Sequence, residues 1–379
     1  MELSTLGGWI ATRASGMKRS RYGNIEDMVI EVRVATPSGI LWQHHSDKPL
    51  EGETAFGRVS ANVMLPSLVL GSEGCIGVVT SAVVKVHPLP EKVAYESIVF
   101  ADWERGTVFM RNVARLPAAL RPASCRLMDN KQLRLAQALK EDSSKSKWSL
   151  ASAALKSLAL YANGVSLDTA SACTLVFEGS RTEVSAQRRA LKPLFSQVGG
   201  IWGGASAGES GYALTFAVAY IRDFGIDYRI LGESLETMVP WSKLGKVWPA
   251  VQRAVEAEHL ALHLAGRPFL SCRLTQLYSQ GGVLYMHLAI HTGGLKADRA
   301  LERFARLEHV AREAVLAAGG CLSHHHGVGK HRAQLLQRSQ GPELCAALRG
   351  LKASLDPENV LAARNGAWAT PAEWHRNDA

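Results

Sequence analysis

The sequence feature that most constrains the fold is a glycine-rich stretch that runs directly into a strand. Gly71, Gly74 and Gly77 lie close together, and the β-branched residues of positions 78–86 follow at once. A Walker loop would continue with Gly-Lys-Ser/Thr, and a Rossmann dinucleotide loop would lead into a helix. The sequence therefore excludes both classes of nucleotide loop. A tight glycine hairpin and a loop that contacts a ligand both remain open here.

A second glycine-rich stretch opens the chain. Residues 1–5 are typical of the end of a strand, and residues 7–16 combine Gly7, Gly8 and Gly16 with the hydrogen-bonding side chains of Thr12 and Arg13. Small residues at this density let a backbone approach a flat or phosphorylated ligand. A domain rarely begins on its own ligand loop, so we expect N-terminal sequence to be missing.

Three consecutive histidines, His324, His325 and His326, lie before a Gly-x-Gly turn. An amphipathic helix predicted over residues 301–318 ends just before them. Imidazole titrates nearest neutrality, which suits proton transfer or metal binding. On an extended segment at most two of the three would share a site. We favour catalysis or ligand contact; a solvated or core-satisfied cluster remains open, as does a metal site, although only Cys321 and His331 lie nearby as further ligands.

The net charge limits the kinds of partner that we expect, and the cysteine spacing limits the expected disulfide chemistry. The net charge of +9 is spread along the 379 residues, without the basic stripe of a nucleic-acid-binding protein, so we expect no nucleic acid but a phosphorylated small molecule or a membrane surface. Six widely spaced cysteines without a C-x-x-C pair predict free thiols. No signal peptide and no run of roughly eighteen apolar residues is present. The last three residues are not a type 1 peroxisomal signal.

Hydrophobic periodicity predicts alternating strands and helices in an α+β fold. A domain boundary is expected at residues 88–90, and a short turn at residues 279–281 is expected to join two late strands. The predicted strands cover residues 28–35, 40–41, 78–86, 97–100, 124–128, 174–178, 214–220, 269–278 and 282–290, and the predicted helices cover residues 105–115, 145–162, 181–198 and 301–318.

Three single residues carry separate expectations. Arg222 is predicted to end an apolar strand, where an ion pair with Asp223 and anion binding are equally open. Tyr285 lies in a strand with His287 on its face, and an ordinary core tyrosine is the default interpretation. Arg126, inside a predicted strand, is expected to be a half-buried charge that needs a partner.

Several stretches in the same order resemble one family, alkyldihydroxyacetonephosphate synthase (alkylglycerone-phosphate synthase). The resemblance extends from the first residues to about Asn365. It is carried by Gly7-Gly8-Trp9, Thr12-Arg13-Ala14-Ser15-Gly16-Met17-Lys18, Tyr22-Gly23-Asn24-Ile25-Glu26-Asp27, Gly71-Ser72-Glu73-Gly74, Arg126-Leu127-Met128-Asp129-Asn130, Ala219-Tyr220-Ile221-Arg222-Asp223, Leu231-Gly232-Glu233-Ser234 and the three histidines.

The resemblance implies a flavoprotein of the vanillyl-alcohol-oxidase type. The implied fold class is α+β: the C-terminal part of a two-subdomain, PCMH-type FAD-binding domain, and a cap domain with an antiparallel sheet flanked by helices. Residues 1–90 are then the second subdomain of the FAD-binding domain, residues 91–345 the substrate-binding cap, and residues 346–379 a C-terminal segment that returns to the FAD and active-site region.

The resemblance also implies an activity. Such enzymes replace the acyl chain of acyl-dihydroxyacetone phosphate with a long-chain fatty alcohol through an adduct at flavin N5, without net redox turnover, and so form the ether bond of ether lipids. Tyr285 matches the acid/base tyrosine, Arg222 the arginine for the substrate phosphate, and Arg126 an arginine needed for activity. The histidine loop (His324, His325, His326) and Ala363-Arg364-Asn365 match segments essential to the family. The matching FAD contacts are Ser4, Thr5, Thr12, Arg13, Ala14, Ser15, Glu73, Gly74, Cys75, Ile76, Gly77, Val78 and Val79.

We expect Tyr285, Arg222 and the three histidines to converge on one pocket that faces the flavin ring. The resemblance further implies a peroxisome or glycosome, peripheral membrane association and a homodimer. The family's first FAD subdomain is absent before Met1, so the activity of this chain is open, and a truncated inactive remnant is one alternative. The other is a FAD-linked 2-hydroxyacid dehydrogenase of the D-lactate type, although such enzymes usually have Glu-His before their late Gly-x-Gly.

Overall fold

The computed structural model describes residues 3–42, 63–141, 164–166, 168–362 and 365–368. The predicted helix over residues 145–162 lies outside the described residues. The chain forms two compact units. The first unit comprises Met1–Gly16, Tyr22–Pro88 and Leu322–Ala379, and the second comprises Met17–Arg21 and Leu89–Cys321.

The described elements follow in chain order. The helices are α1 (Leu6–Ala11), α2 (Arg19–Tyr22), α3 (Ile25–Met28), α4 (Leu65–Val69), α5 (Trp103–Ala114), α6 (Asn130–Glu141), α7 (Arg181–Ser196), α8 (Ala205–Asp227), α9 (Leu244–Ala261), α10 (Ala297–Ala317), α11 (Ala333–Ser339) and α12 (Pro342–Leu355). The strands are β1 (Val29–Thr36), β2 (Gly39–Trp42), β3 (Val78–Val84), β4 (Lys92–Phe100), β5 (Ser124–Met128), β6 (Ser171–Gly179), β7 (Ile201–Trp202), β8 (Ile230–Pro240), β9 (Phe269–Leu277) and β10 (Gly281–His291).

The first unit is built on a small antiparallel sheet with the strand order β2-β1-β3. Its core packs apolar side chains of α1, α3, α4 and the sheet, and the predicted turn between β1 and β2 is confirmed. The expectation of a strand end followed by a loop at the start of the chain is wrong for the described residues, because Leu6–Ala11 is a helix capped by the side chain of Thr5. A Cβ on Gly7 would lie 3.0 Å from the carbonyl oxygen of Val79, so this glycine lets α1 approach β3 closely.

The second unit is built on a seven-stranded antiparallel sheet with the strand order β7-β4-β6-β5-β9-β10-β8. The predicted hairpin of β9 and β10 is confirmed. One face of the sheet is apolar, with residues such as Leu127, Leu175 and Leu274, and α5, α7, α9 and α10 cover it. Each fully buried leucine or phenylalanine contributes about 1.5–3 kcal/mol, so this layer supplies the main stabilisation of the unit.

The opposite face of the same sheet carries polar side chains. Strand register places five of them on one side, since directly opposed residues share a face: Arg126, Thr174, Glu236, Arg273 and Tyr285, which we call the polar face. Helix α8 packs on this side. A Cβ on Gly211 would lie 2.5 Å from the side chain of Thr174, so a glycine is needed where the helix meets the strand.

Helix α8 corrects a prediction. The apolar run at residues 214–220 was predicted as a strand, but it lies inside a helix of 23 residues. A short apolar run has no periodicity of its own, and small residues before it allow a helix to lie against the sheet. Strand β8 and helix α9 were not predicted.

The chain passes between the two units at Gly16–Met17, at Arg21–Tyr22, at Pro88–Leu89, which lies inside the predicted linker, and at Cys321–Leu322. The three-part domain division with its second boundary after residue 345 stays a prediction. All six cysteines are free thiols, as predicted. Among the described residues, no helix is both long and apolar enough to cross a membrane.

Candidate active site

Tyr285 lies at the centre of the polar face of the second unit. Its hydroxyl group donates a hydrogen bond to Ser234 Oγ at 3.0 Å. On the neighbouring strands, the residue directly opposite Tyr285 is Glu236 on β8 and Arg273 on β9. Three adjacent strands therefore fix the position of the hydroxyl, and two ionisable side chains flank it. A core tyrosine also commonly has a hydrogen-bonded hydroxyl, so the catalytic role of Tyr285 stays a prediction.

Two buried arginines lie on the same face as Tyr285: Arg273 on the neighbouring strand β9 and Arg126 on β5, the strand beyond it. Arg126 donates hydrogen bonds to Thr215 Oγ1 and to Met17 Sδ, the second at 3.3 Å. Burial and then the nearby Arg273 lower the pKa of Arg126 to about 9. Burial likewise lowers the pKa of Arg273. Within the described part of the chain, neither arginine forms an ion pair with a carboxylate. Buried positive charge without a direct counter-ion favours an anionic ligand.

Helix α6 contributes Gln132, which contacts two residues of the second unit's sheet close to Tyr285. Asp129 precedes the helix, and its carboxylate accepts the N–H groups of Gln132 at 2.9 Å and Cys272 at 2.7 Å. The side chain of Gln132 accepts a hydrogen bond from Arg273 Nε, and its amide nitrogen lies 3.1 Å from His287 Nδ1. The rings of Tyr285 and His287 are 5.2 Å apart.

Sequence reasoning assigned no role to Ser234, Arg273, Gln132 or His287. One signal was available for Gln132, because Asp129 and Gln132 have the spacing of a capping box at the start of a helix. The other three are brought to Tyr285 by strand register, for which the sequence gives no direct signal.

Arg222 lies near the end of α8 with its side chain exposed, so its prediction as the end of a strand is wrong. Its Nε lies 3.6 Å from Asp223 Oδ1, and its Nη1 lies 3.9 Å from Glu233 Oε2. Both distances exceed a hydrogen bond. The guanidinium is therefore held by loose ion pairs, and the predicted interaction with Asp223 is present in this weak form.

In the first unit the two glycine-rich segments meet. The N–H group of Glu73 donates to the carbonyl of Ala11 at 2.8 Å, and Ser15 Oγ donates to Asn24 Oδ1 at 2.5 Å. Arg13 and Gly74 have positive φ angles of 51° and 76°. A Cβ on Gly16 or Gly74 would have no atom within 4 Å, so a flat ligand could approach the backbone at these two glycines.

The side chain of Glu73 holds the turn that follows the histidines. Its two carboxylate oxygens accept the N–H groups of Val328 at 2.5 Å and Gly329 at 2.7 Å. A Cβ on Gly327, whose φ is +79°, would lie 2.8 Å from this carboxylate. The side chain of Glu73 is therefore engaged by the histidine loop.

The three histidines form one cluster. His324 Nδ1 and His325 Nδ1 are 3.0 Å apart, and the rings of His325 and His326 are 4.6 Å apart. The segment curls instead of running extended, so the rings do not simply alternate between two faces, and the expectation that at most two of the three share a site stays a prediction. Ser323 Oγ causes the curl by accepting the N–H group of Gly327 at 3.0 Å.

The C-terminal segment also reaches this turn. The N–H group of Gly366 donates to the carbonyl of Gly329 at 2.9 Å, and Asn365 lies next to it. Ala363 and Arg364 lie outside the described residues. Tyr285, Arg126 and Arg222 belong to the second unit, and the histidines and glycine-rich segments belong to the first. Their expected convergence on one pocket stays a prediction.

The comparisons with known proteins assign a family. Residues 89–365 match the family model described as FAD linked oxidases, C-terminal domain, and residues 1–43 match an FAD binding domain. The chain belongs to the FAD-linked oxidase family. The predicted cofactor, FAD, is confirmed at the level of this family, and so is the predicted fold class, a PCMH-type FAD-binding part with an α+β cap.

Two relatives and one solved structure carry the same name. An alkyldihydroxyacetonephosphate synthase of Caenorhabditis elegans is 41% identical over 366 residues, covering 96% of this chain and 59% of the relative. That of Trypanosoma brucei brucei is 30% identical over 357 residues, covering 94% and 55%. A solved alkyldihydroxyacetonephosphate synthase has a TM-score of 0.73 at 23% identity, covering 95% of this chain and 58% of its own, and shows the shared fold. This FAD-linked oxidase thus spans little more than half the length of these relatives.

The residues of this FAD-linked oxidase fit its family's cofactor. The open backbone at Gly16 and Gly74 lies in the two segments expected to contact FAD, and the first of them falls in the part that matches the FAD binding domain. Backbone N–H groups and small side chains there can bind a flat, phosphorylated cofactor.

Proposed function

We propose that this chain carries the catalytic residues of an alkyldihydroxyacetonephosphate synthase. It replaces the acyl chain of acyl-dihydroxyacetone phosphate with a long-chain fatty alcohol. One observation supports this most strongly: the Tyr285 hydroxyl is held by Ser234 on a buried polar face that also carries two arginines. In the proposed division, residues 1–90 and the C-terminal segment bind FAD, and the antiparallel sheet with its helices is the cap.

The exchange breaks one carbon–oxygen bond and forms another. The bond between the substrate carbon and the acyl oxygen breaks, and the fatty acid leaves as a carboxylate with the bonding electron pair. The alcohol oxygen then bonds to the same carbon, and the hydroxyl proton of the alcohol is released. Nothing is oxidised or reduced overall. When bound, FAD supplies the ring at which the carbon is held during the exchange.

The residues of the second unit have proposed roles that follow from their chemistry. Tyr285 takes a proton from the substrate carbon and returns it, as a general acid and base must. Arg126, buried and positively charged, attracts the departing carboxylate or the substrate phosphate. Arg222, whose ion pairs are loose, binds the phosphate group.

The proposed roles of the first unit are proton transfer and cofactor binding. The clustered imidazoles of His324, His325 and His326 supply the second proton carrier. The proposed FAD contacts are those that the resemblance gave: Ser4, Thr5, Thr12, Arg13, Ala14, Ser15, Glu73, Gly74, Cys75, Ile76, Gly77, Val78 and Val79.

We further propose that the enzyme acts as a homodimer at a membrane surface in a peroxisome or a glycosome. The substrates are lipids, and the net charge of +9 favours an anionic surface. Sedimentation of the protein with anionic vesicles, compared with neutral vesicles, tests the surface contact.

The proposed reaction is tested by supplying the FAD-loaded protein with acyl-dihydroxyacetone phosphate and radiolabelled hexadecanol. We expect labelled ether product, an equal amount of released fatty acid and no accumulation of reduced flavin. Tyr285→Phe removes only the hydroxyl and should lower kcat by about 100-fold or more. Tyr228→Phe is the matched control, because Tyr228 is exposed.

Two results would count against the proposal. Reduction of the bound flavin by D-lactate without any ether product favours a 2-hydroxyacid dehydrogenase. Purified protein that takes up no flavin even when FAD is added favours an inactive remnant.

A further inference from the structure

The side chain of Gln132 lies between two residues that flank Tyr285. It is buried, and it contacts Arg273 on β9 and His287 on β10. Arg273 lies directly opposite Tyr285 across the two strands, and His287 lies two residues along the same strand with its ring 5.2 Å from that of Tyr285. A single amide therefore contacts two neighbours of the tyrosine.

The contact with Arg273 fixes which way the amide points. A guanidinium has only hydrogen-bond donors, so the atom of Gln132 that faces Arg273 Nε must be the carbonyl oxygen. The NH2 group then faces the other way, where it lies 3.1 Å from Ser271 Oγ and 3.1 Å from His287 Nδ1.

The orientation of the amide in turn decides which ring nitrogen of His287 carries the proton. An NH2 group can only donate, so Nδ1 of His287 must accept, and a nitrogen that accepts carries no proton. Ser271 Oγ, 3.4 Å from the same nitrogen, can also donate to it. The remaining proton of the neutral ring is then on Nε2.

We propose that Gln132 is a positioning residue that holds His287 as the neutral tautomer protonated on Nε2, and that this fixed imidazole keeps the Tyr285 ring in its reactive position. The proposal deepens the proposed function and rests on it, because Tyr285 is the group that is positioned. The chain of contacts begins at Asp129, whose carboxylate anchors the N–H group of Gln132 and so sets the start of α6 against β9.

The test reads the tautomer directly. Nitrogen NMR of protein labelled at histidine shows which ring nitrogen of His287 carries hydrogen, and the signals are assigned with His287→Asn. At pH 8 the wild-type protein should show hydrogen on Nε2 alone. In Gln132→Glu the carboxylate can only accept hydrogen bonds from Arg273 and His287, so the hydrogen of His287 should move to Nδ1. Gln197→Glu, at an exposed glutamine, is the matched control and should leave the His287 signals unchanged.

The activity of the same variants separates positioning from folding. Gln132→Glu should lower kcat at least tenfold with little change in KM, since a misplaced catalytic group reduces the rate more than it reduces binding. A general loss of folding would instead remove the bound flavin and the dispersed NMR signals.

The tautomer of His287 is measured without substrate, so the proposed role of Gln132 and the proposed reaction can be refuted independently. Hydrogen on Nδ1 in the wild-type protein, or the same tautomer in Gln132→Glu, overturns the role of Gln132 whatever the activity. A wild-type protein with the expected tautomer but no ether product overturns the proposed function instead. If Gln132→Glu does not fold, the wild-type spectrum alone decides the assignment.

Discussion

Thr215 on helix α8 accepts a hydrogen bond from Arg126. This contact requires the first turn of α8 to lie directly on strand β4, and Gly208 makes that close approach possible. A Cβ at Gly208 would lie 2.3 Å from the carbonyl oxygen of Glu96 and 2.4 Å from its carbonyl carbon. Both are backbone atoms of a strand with partners on either side, so they cannot rotate away. Gly208→Ala must therefore lift the start of α8 from the sheet.

The size of the effect follows from two opposing terms. Overpacking against backbone costs about 3 kcal/mol, at the upper end of the usual range. Alanine recovers up to about 1 kcal/mol of helix propensity. The net destabilisation of the first half of α8 is then about 2 kcal/mol, which corresponds to an increase of about 30-fold in its opening equilibrium.

Hydrogen exchange followed by mass spectrometry measures that opening locally, without requiring the whole chain to unfold in two states. Peptides within residues 205–216 should lose about 30-fold of their protection in Gly208→Ala. Gly225→Ala is the matched control in the same helix, because its Cβ would meet the nearest atoms at 3.5 Å, an ordinary contact. It should preserve or raise protection near the end of α8. Unchanged protection in Gly208→Ala would refute the packing argument.

The other predictions concern single ionic contacts. Burial opposes ionisation of Asp356, but hydrogen bonds from Lys352 and two backbone N–H groups outweigh it and lower the pKa of the carboxyl. The ionised carboxylate should therefore stabilise the folded state fully above about pH 4, and this contribution should be lost as the pH falls further. Asp356→Asn should lower the free energy of unfolding at pH 7 by about 3 kcal/mol and remove this acid-side loss, as thermal melts across pH will show. Glu73→Gln leaves one N–H group of the histidine loop without an acceptor, and diethyl pyrocarbonate should then modify the loop histidines faster, with Glu343→Gln, at an exposed residue, as control. Arg126→Met removes a buried charge and should lower activity at least tenfold while Tm stays equal or rises, and a fall in Tm would show that this charge stabilises the fold.

Elements with a strong local signal could be predicted from the sequence. The β9–β10 hairpin, strand β5 and helix α10 follow from apolar periodicity and from nearby turn residues. Helix α8 could not be predicted in this way. The run at residues 214–220 is mostly apolar and shows no clear period, and the decision between helix and strand depends on Gly208 and Gly211 fitting against a sheet distant in sequence.

The candidate site shows the same division. Local chemistry singled out the three histidines, whereas the catalytic roles expected for Tyr285 and Arg126 came from the family resemblance, and local chemistry alone gave Tyr285 as a core residue. Gln132 and Arg273 are far apart in sequence and meet only because β5, β9 and α6 pack together. The curl of the histidines depends on Ser323, whose side chain could equally have faced solvent. Contacts that depend on tertiary packing leave no local pattern to read.

The central claim is that the substrate carbon exchanges its acyl oxygen for the oxygen of the alcohol. The most direct measurement supplies hexadecanol labelled with ¹⁸O to the FAD-loaded protein and analyses both products by mass spectrometry. The account predicts that the label is retained in the ether and that the released fatty acid is unlabelled, with no product from Tyr285→Phe. Label in a fatty ester, or no incorporation by protein that holds its flavin, would contradict it.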